Sequence, residues 1–280
     1  MVLFPNVKIN LGLHVIRKRS DGYHDIETVF YPLAFYDIIE AISSPGSERS
    51  FQFTNSGLSL PIDRTNNLCV KAYELLKKDF PDLPAVHFHL HKLIPAGAGL
   101  GGGSADAAFT LVLLNKKFNL GLGTEKLLDY ALRLGSDCPF FIINQPCIAT
   151  GRGEFLQKIQ CDLSNWNFII VNPGIHVDTA SAFSKITPEK SGLSLKELIK
   201  EPVGSWKGLI TNDFEEPVFA MHPEIKNIKE QLYAAGAVYA SMTGSGSSVY
   251  GMFEKDKPPT LKLPRNYFVK TAGSITGVPH

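Results

Sequence analysis

The chain of 280 residues reads as an α+β protein built from two domains. Two observations predict this class. Segments with strand-like alternation and segments with helical spacing are mixed without a strict strand–helix rhythm, which disfavours a doubly wound parallel sheet. The length suits one large domain or two ordinary ones. A domain change is expected near Gly151–Gly153, dividing the chain into 1–150 and 151–280.

Taken in order, residues 7–16 read as a strand, closed by an Asp21-Gly22 turn. Residues 26–33 and 37–42 read as two more strands, 43–50 as a polar loop and 51–53 as a short strand. Helical spacing of Leu68, Ala72, Leu75 and Leu76 predicts a helix over 67–78. Residues 86–93 alternate: Val86, Phe88 and Leu90 face one way, and His87, His89 and His91 the other. A glycine-rich loop, 95–103, leads into a helix over 104–118 with Ser104 as its N-cap. A helix follows at 124–134, and strands at 140–143 and 168–171. A helical stretch broken by Pro188 covers 179–201, and one or two helices cover 217–235. Strands at 238–242 and 249–253 flank a second glycine loop, and 268–271 is the last strand.

Apolar residues make up 44% and charged residues 20%, with a net charge of +1. That balance provides no broad basic surface for nucleic acid or an anionic membrane. An anionic ligand must therefore be held locally, by backbone amides and a few placed cations. The cysteines Cys69, Cys138, Cys147 and Cys161 form no C-x-x-C pair, so reduced thiols and a cytoplasmic setting are expected. No basic, then apolar, N-terminal stretch suggests a signal peptide, and no run of about 18 apolar residues suggests a membrane span. His87, His89 and His91 lack accompanying ligands and read as a solvated strand face rather than a zinc site.

Pro95-Ala-Gly97-Ala-Gly99-Leu100-Gly101-Gly102-Gly103-Ser104-Ala105 is the strongest chemical signal. Without Cβ atoms, successive amides can converge on an anion, and the following helix N-terminus favours phosphate. A Walker A loop needs a terminal G-K-[ST], which is absent. Gly97, Gly99 and Gly102 satisfy G-x-G-x-x-G. However, the preceding strand alternates with histidines, and no acidic residue stands about 20 residues on at a strand end, where a dinucleotide ribose needs one. A mere turn is an uncomfortable alternative, because five glycines in seven residues cost much backbone entropy.

Other groups are ambiguous alone. Lys8 and Asn10 share a strand face, which could simply be solvated. Asp137 precedes an apolar run and could be a turn residue. Tyr23 and His24, in Asp21-Gly22-Tyr23-His24, offer a flat ring and two ring nitrogens, but could sit on a plain hairpin. Thr243-Gly244-Ser245-Gly246 could likewise be a hairpin turn.

Pro95 to Ala108 resembles the P-x-x-x-G-L-G-x-x-S-A phosphate loop of the GHMP kinases. The order Lys8-x-Asn10-Leu-Gly-Leu, Asp-Gly-Tyr-His, glycine loop, Gly-Ser-Asp137-Cys-Pro-Phe-Phe resembles a cytidyl-linked branch of that superfamily. The resemblance implies a ribosomal-protein-like N-terminal domain carrying ATP and catalysis, and a ferredoxin-like α/β-sandwich C-terminal domain completing the substrate cleft. It implies ATP as phosphoryl donor with Mg²⁺, and a small-molecule acceptor bearing a cytidine diphosphate group. Asp137 would be the base and Lys8 its cationic partner. Pro95, Gly97, Gly99, Leu100, Gly101, Gly102, Gly103, Ser104 and Ala105 would bind ATP. Asn10, Tyr23, His24, Phe30, Thr179, Phe183, Gly244 and Ser245 would bind substrate, with Arg152 a further candidate cation. Ala105 stands where a second serine is common, so which hydroxyl would help hold Mg²⁺ stays open, with Ser104 one candidate; no fixed metal site is implied. No nucleic-acid or membrane partner is implied, and the chain would act as a monomer or homodimer. Another kinase of the superfamily, acting on homoserine, mevalonate or a sugar, is the alternative.

Overall fold

The computed structural model describes residues 1–43, 51–59, 66–188, 193–257 and 259–275. The expected polar loop lies outside the described residues from position 44 onward. The chain divides into two compact units. The first comprises Met1–Val7, Phe35–Ala96 and Gly101–Asn144, and the second Lys8–Ala34, Gly97–Leu100 and Gln145–His280.

The first unit holds one sheet, ordered β1-β4-β6-β5. Its strands are β1 (Val2–Leu3), β4 (Ile38–Ser43), β5 (Gln52–Gly57) and β6 (Val86–Lys92). β5 runs parallel to β6, and the other pairs are antiparallel. Along β6 the expected alternation holds: Val86, Phe88, Leu90 and also Lys92 are buried, while the three histidines are partly exposed. Phe53 stacks on Phe88, and Phe51 stacks on Tyr73 of α1 (Leu68–Asp79). Asn67 caps α1 by accepting the Cys69 N–H. α2 (Gly102–Phe118) is buried from Ala105 to Leu114, because its residues there are almost all apolar. α3 (Thr124–Leu134) follows.

Two expectations fail in this unit. Residues 140–143 are not a strand but the end of a short helix, α4 (Cys138–Ile143), with Pro139 in its first turn. A short apolar run cannot be told from a buried helix by periodicity, and proline at a helix start tips this one toward helix. Ser104 is not the cap of α2. Gly101 is, at φ 71° and without a side-chain cap bond, because only glycine enters that left-handed conformation cheaply.

The second unit carries two four-stranded sheets. One is ordered β2-β3-β7-β8, from β2 (Asn6–Lys18), β3 (His24–Tyr36), β7 (Cys147–Gly151) and β8 (Phe155–Lys158); the first two residues of β2 and the last two of β3 fall in the first unit. Sequence reading misses β7 and β8, which are short and lie at glycine-rich turns. The other sheet is antiparallel, ordered β10-β11-β9-β12, from β9 (Trp166–Asn172), β10 (Tyr239–Met242), β11 (Val249–Glu254) and β12 (Phe268–Ala272). Its apolar face joins helices α7 (Glu215–Met221) and α8 (Pro223–Ala234) in a core that includes Val171, Phe214, Ile225, Leu232, Met242 and Val249. The 217–235 stretch is two helices because Pro223 forces His222 out of helical geometry, to φ −135°, ψ 77°. The stretch expected over 179–201 is α5 (Thr179–Ser184) and α6 (Leu195–Leu198), and residues 189–192, beside the predicted break at Pro188, lie outside the description.

One buried ion cluster stands out in the first unit. Lys92 Nζ donates to Asp37 Oδ2 at 2.5 Å and to Asp106 Oδ2 at 2.6 Å, and all three side chains are buried. Burial, reinforced by the nearby Asp37 carboxylate and only partly offset by Lys92, pushes the Asp106 carboxyl up to about 7. A carboxyl raised on folding keeps its proton in the native state where the unfolded chain has lost it. Its contribution to stability is therefore full below about pH 4 and lost as pH rises through about 7. Asp106→Asn should remove that share of the pH dependence, which urea-denaturation midpoints measured across this range would reveal. Parallel wild-type and variant profiles would refute the assignment.

Candidate active site

In the second unit the first half of β2 is buried on both faces, polar residues included. Lys8 Nζ donates to Asn10 Oδ1 at 2.6 Å and lies 4.8 Å from the centre of the Phe30 ring. Asn10 Nδ2 donates to Thr28 Oγ1 at 2.8 Å, and Thr28 in turn donates to the Gly12 carbonyl at 2.5 Å. The Asn10 amide donates to Thr243 Oγ1 at 3.0 Å, and the Thr243 hydroxyl lies 3.1 Å from both Asn10 Oδ1 and the Gly99 carbonyl. Tyr250 donates its hydroxyl to the Asn10 carbonyl at 2.9 Å. A solvated strand face is thus replaced by a fixed polar network, in which Asn10 aims the Lys8 ammonium.

The same network draws both glycine loops together. Lys8 N–H donates to the Leu100 carbonyl at 3.0 Å, and Ser248 N–H donates to the Ala98 carbonyl at 3.2 Å. Gly99 has φ +77°, and a Cβ there would lie 2.2 Å from the Thr243 carbonyl oxygen. Gly244, at φ +59°, packs with its Cβ direction 3.4 Å from the Gly99 backbone. Asn212 Nδ2 bonds the Met242 and Gly244 carbonyls, and Thr179 and Ser245 share a hydroxyl–hydroxyl bond of 2.9 Å. The second loop is therefore no plain hairpin. Its backbone is tied at several points and stands directly against the first.

An aromatic group belongs to the same unit. The His24 and Phe183 rings stack at 4.6 Å and 11°, and Phe183 meets Phe214 edge-on at 4.7 Å. At that separation His24 and Phe183 touch face to face, so a base between them requires Phe183 to move. Tyr23 is 57% exposed, and the Arg152 guanidinium lies 5.0 Å from its ring centre. Glu154 holds Arg152 there, accepting from its backbone N–H at 2.5 Å. Burial, with Lys18 nearby, keeps His24 below the usual imidazole range, so it is neutral at physiological pH, with one ring nitrogen donating and one accepting.

The first unit holds Pro95, Gly101–Ala105 and Asp137. The first α2 N–H bonded within its own helix is that of Ala105, to the Gly101 carbonyl at 2.8 Å, which leaves the earlier amides of the helix start outside the helix's own hydrogen-bond ladder. Asp137 occupies the N-cap position of α4. The Ser104 hydroxyl bonds the thiol of the next residue, Cys138, which burial nevertheless pushes up to about 12. Helix α2 and the Asp137 turn thus adjoin. Sequence reading missed Thr28, Thr243 and Tyr250 as organisers of the site. Single hydroxyls carry no spacing signal, and only the folded contacts reveal them.

A buried lysine and tied glycine loops in one unit, and a carboxylate at a helix cap in the other, are the elements that the sequence resemblance to the GHMP kinases implies. The family comparison agrees: residues 67–145 match the GHMP kinases N terminal domain and residues 194–263 match the GHMP kinases C terminal domain. The chain belongs to the GHMP kinases and has their two-domain α+β fold. It is 51% identical over 263 residues to the 4-diphosphocytidyl-2-C-methyl-D-erythritol kinase of Azobacteroides pseudotrichonymphae, covering 92% of this chain and 96% of that one. It is 50% identical to the enzyme of the same name from Bacteroides fragilis, covering 93% and 94%. A crystal structure of 4-(cytidine 5'-diphospho)-2C-methyl-D-erythritol kinase superposes with TM-score 0.77 at 28% identity, covering 98% of this chain and all of that one. Mevalonate kinase from Methanococcus jannaschii, at TM-score 0.71 and 14% identity, shares the fold over 99% of this chain and 98% of its own.

The close approach at Gly99 yields a direct test. Gly99→Ala combines a positive φ with a backbone clash, so it should cost roughly 1–3 kcal/mol of stability and part the two loops. Thermal unfolding would report the first effect, and a rise in the KM for nucleotide the second. A variant indistinguishable from wild type in both would mean the contact is dispensable.

Proposed function

We propose that this chain transfers the γ-phosphoryl group of ATP to the 2-hydroxyl of 4-diphosphocytidyl-2-C-methyl-D-erythritol, giving the 2-phosphate and ADP, a step in the non-mevalonate route to isoprenoid precursors. Identity near 50% over more than nine-tenths of both chains, to relatives bearing that activity in their name, carries the reading. The aromatic group beside the glycine loops supports it, because a homoserine or mevalonate acceptor gives rings such as His24 and Phe183 nothing to stack on. The likeness to mevalonate kinase is one of fold alone.

Residues 1–150 carry nucleotide and catalysis, and 151–280 complete the acceptor site. The matched family regions fall on either side of that division. In the reaction a bond forms between the acceptor oxygen and the γ-phosphorus while the γ-phosphorus separates from its bridging oxygen, and ADP leaves. Asp137 accepts the hydroxyl proton. Lys8, aimed by Asn10, supplies a cation that orients the acceptor oxygen. The amides of Gly97–Ser104 hold the phosphates, and the close packing of Gly99 on the second loop supports that backbone from behind. Mg²⁺ bound with ATP would neutralise polyphosphate charge, and Ser104 is a candidate hydroxyl to help hold it. Tyr23, His24 and Phe183 take the cytosine, with Phe30 walling the pocket and Thr179 and Ser245 bonding the polar part. Arg152 backs the Tyr23 ring and leaves its other face for the base. The four cysteines are free, which suits a reducing cytoplasm.

A coupled ADP-release assay with the cytidyl acceptor, homoserine and mevalonate tests the reading. Turnover with the cytidyl compound alone is the expected result; turnover with another acceptor alone would refute the substrate. Asp137→Asn should lower kcat by about 10²-fold or more with little change in either KM. Phe183→Ala should raise the KM for the cytidyl acceptor by roughly 5- to 100-fold and leave that for ATP near wild type, as loss of one base stack requires.

A further inference from the structure

The buried Lys92–Asp37–Asp106 cluster has no part in the chemistry above, yet its three members reach the exit of strand β6, the segment after it and the first turns of α2. Asp37 lies between β3 and β4. Its Oδ1 accepts the backbone N–H groups of Leu93 at 2.6 Å and Ile94 at 2.9 Å, so it fixes the two residues that lead into Pro95. Its Oδ2 accepts a hydrogen bond from the Lys92 ammonium, and Oδ2 of Asp106, in the second turn of α2, accepts another. Gly102, the first residue of α2, packs directly on this group: a Cβ there would sit 3.1 Å from Lys92 Nζ and 2.8 Å from Ile94 Cγ2. The chain on the entry side of the glycine loop and the helix on its exit side are thus tied to one ammonium. Bringing an ammonium and two carboxyl groups out of water is costly, and replacing such a group with well-packed apolar side chains is often neutral or stabilising. Among the described residues Asp106 Oδ1 has no hydrogen-bond partner, a further sign that stability alone does not explain the arrangement.

We propose that the Lys92–Asp37–Asp106 cluster is a latch that positions the glycine loop for nucleotide phosphate, with Lys92 and Asp106 as positioning residues. The functional consequence rests on the ATP reading above; the structural one does not. The latch fixes Leu93–Ile94 and the start of α2 relative to each other, so the amides between them are arranged before a ligand arrives and less ordering remains for binding to supply. The charged and titratable groups around Asp106 are Lys92 on β6, Asp37 before β4, and the Cys69 thiol on α1.

The test uses the full-length chain with Asp106→Asn, which keeps shape and removes charge, and Lys92→Met, which removes the ammonium. Hydrogen–deuterium exchange without nucleotide should speed up in peptides covering 93–106 and stay unchanged in α8. The KM for ATP should rise at least about fivefold, the effect of one weakened charge-assisted contact, while kcat and the KM for the cytidyl acceptor move less than about twofold. Asp106→Asn decides the matter if Lys92→Met does not fold. Unchanged exchange over 93–106 in folded Asp106→Asn overturns the latch, as does an equal loss on both substrates. Faster exchange in the variant, with a wild type that binds no Mg²⁺–ATP, would keep the latch and sink the nucleotide reading instead.

Discussion

Asn10 has every polar group of its backbone and side chain occupied. Its Oδ1 receives Lys8, its Nδ2 reaches Thr28, its amide reaches Thr243 and its carbonyl receives Tyr250. An asparagine so placed cannot rotate without stranding several buried partners, each worth about 1–3 kcal/mol when left unmade. The orientation of Lys8, the separation of β2 from β3 at Thr28, and the seat of the second glycine loop at Thr243 all follow from this one residue. The glycines complete the constraint. The Thr243 carbonyl can approach Gly99 as it does only because there is no side chain between them.

The two glycine-rich segments solve different problems. In the first, glycine supplies the left-handed turns at Gly97, Gly99 and Gly101 and opens the start of α2, where no side chain caps the helix. Leaving a helix start uncapped forgoes about 1 kcal/mol, and the gain is a set of amides available to an anion. In the second, the hydroxyls of Thr243, Ser247 and Ser248 are spent within the protein, the last two on Asn172. That loop supports the site more than it offers donors to a ligand, with Ser245 and its partner Thr179 at its exposed edge.

Much of this was legible in the sequence because glycine and alternation are strong local signals. The strands 7–16, 86–93 and 249–253 and the helix following the glycine loop were read to within a few residues. Failures came where local signals are degenerate. Cys-Pro-Phe-Phe-Ile-Ile is apolar on every side, so neither period marks it, and a helix results. β7 and β8 carry too few residues between turns to announce themselves. Lys92 was readable in principle: it continues the even-numbered buried face of Val86, Phe88 and Leu90, and a lysine at such a position demands a carboxylate. What no pattern could give was which carboxylates, since Asp37 and Asp106 lie 55 and 14 residues away.

The contact between His24 and Phe183 bears on how the proposed acceptor would be chosen. These rings satisfy each other in the absence of a base, an aromatic pair worth about 0.5–1.5 kcal/mol. A cytosine entering the group must first replace that contact, so stacking alone gives it only part of the roughly 1–3 kcal/mol that a base–ring stack is worth. Any planar base meets the same cost and receives the same return. Discrimination then falls to the edges: a neutral His24 has one ring N–H and one bare nitrogen, and a base edge that mismatches them leaves a polar group unpaired. The closed aromatic pair lowers affinity for every base equally and so makes edge complementarity the deciding term in which one binds.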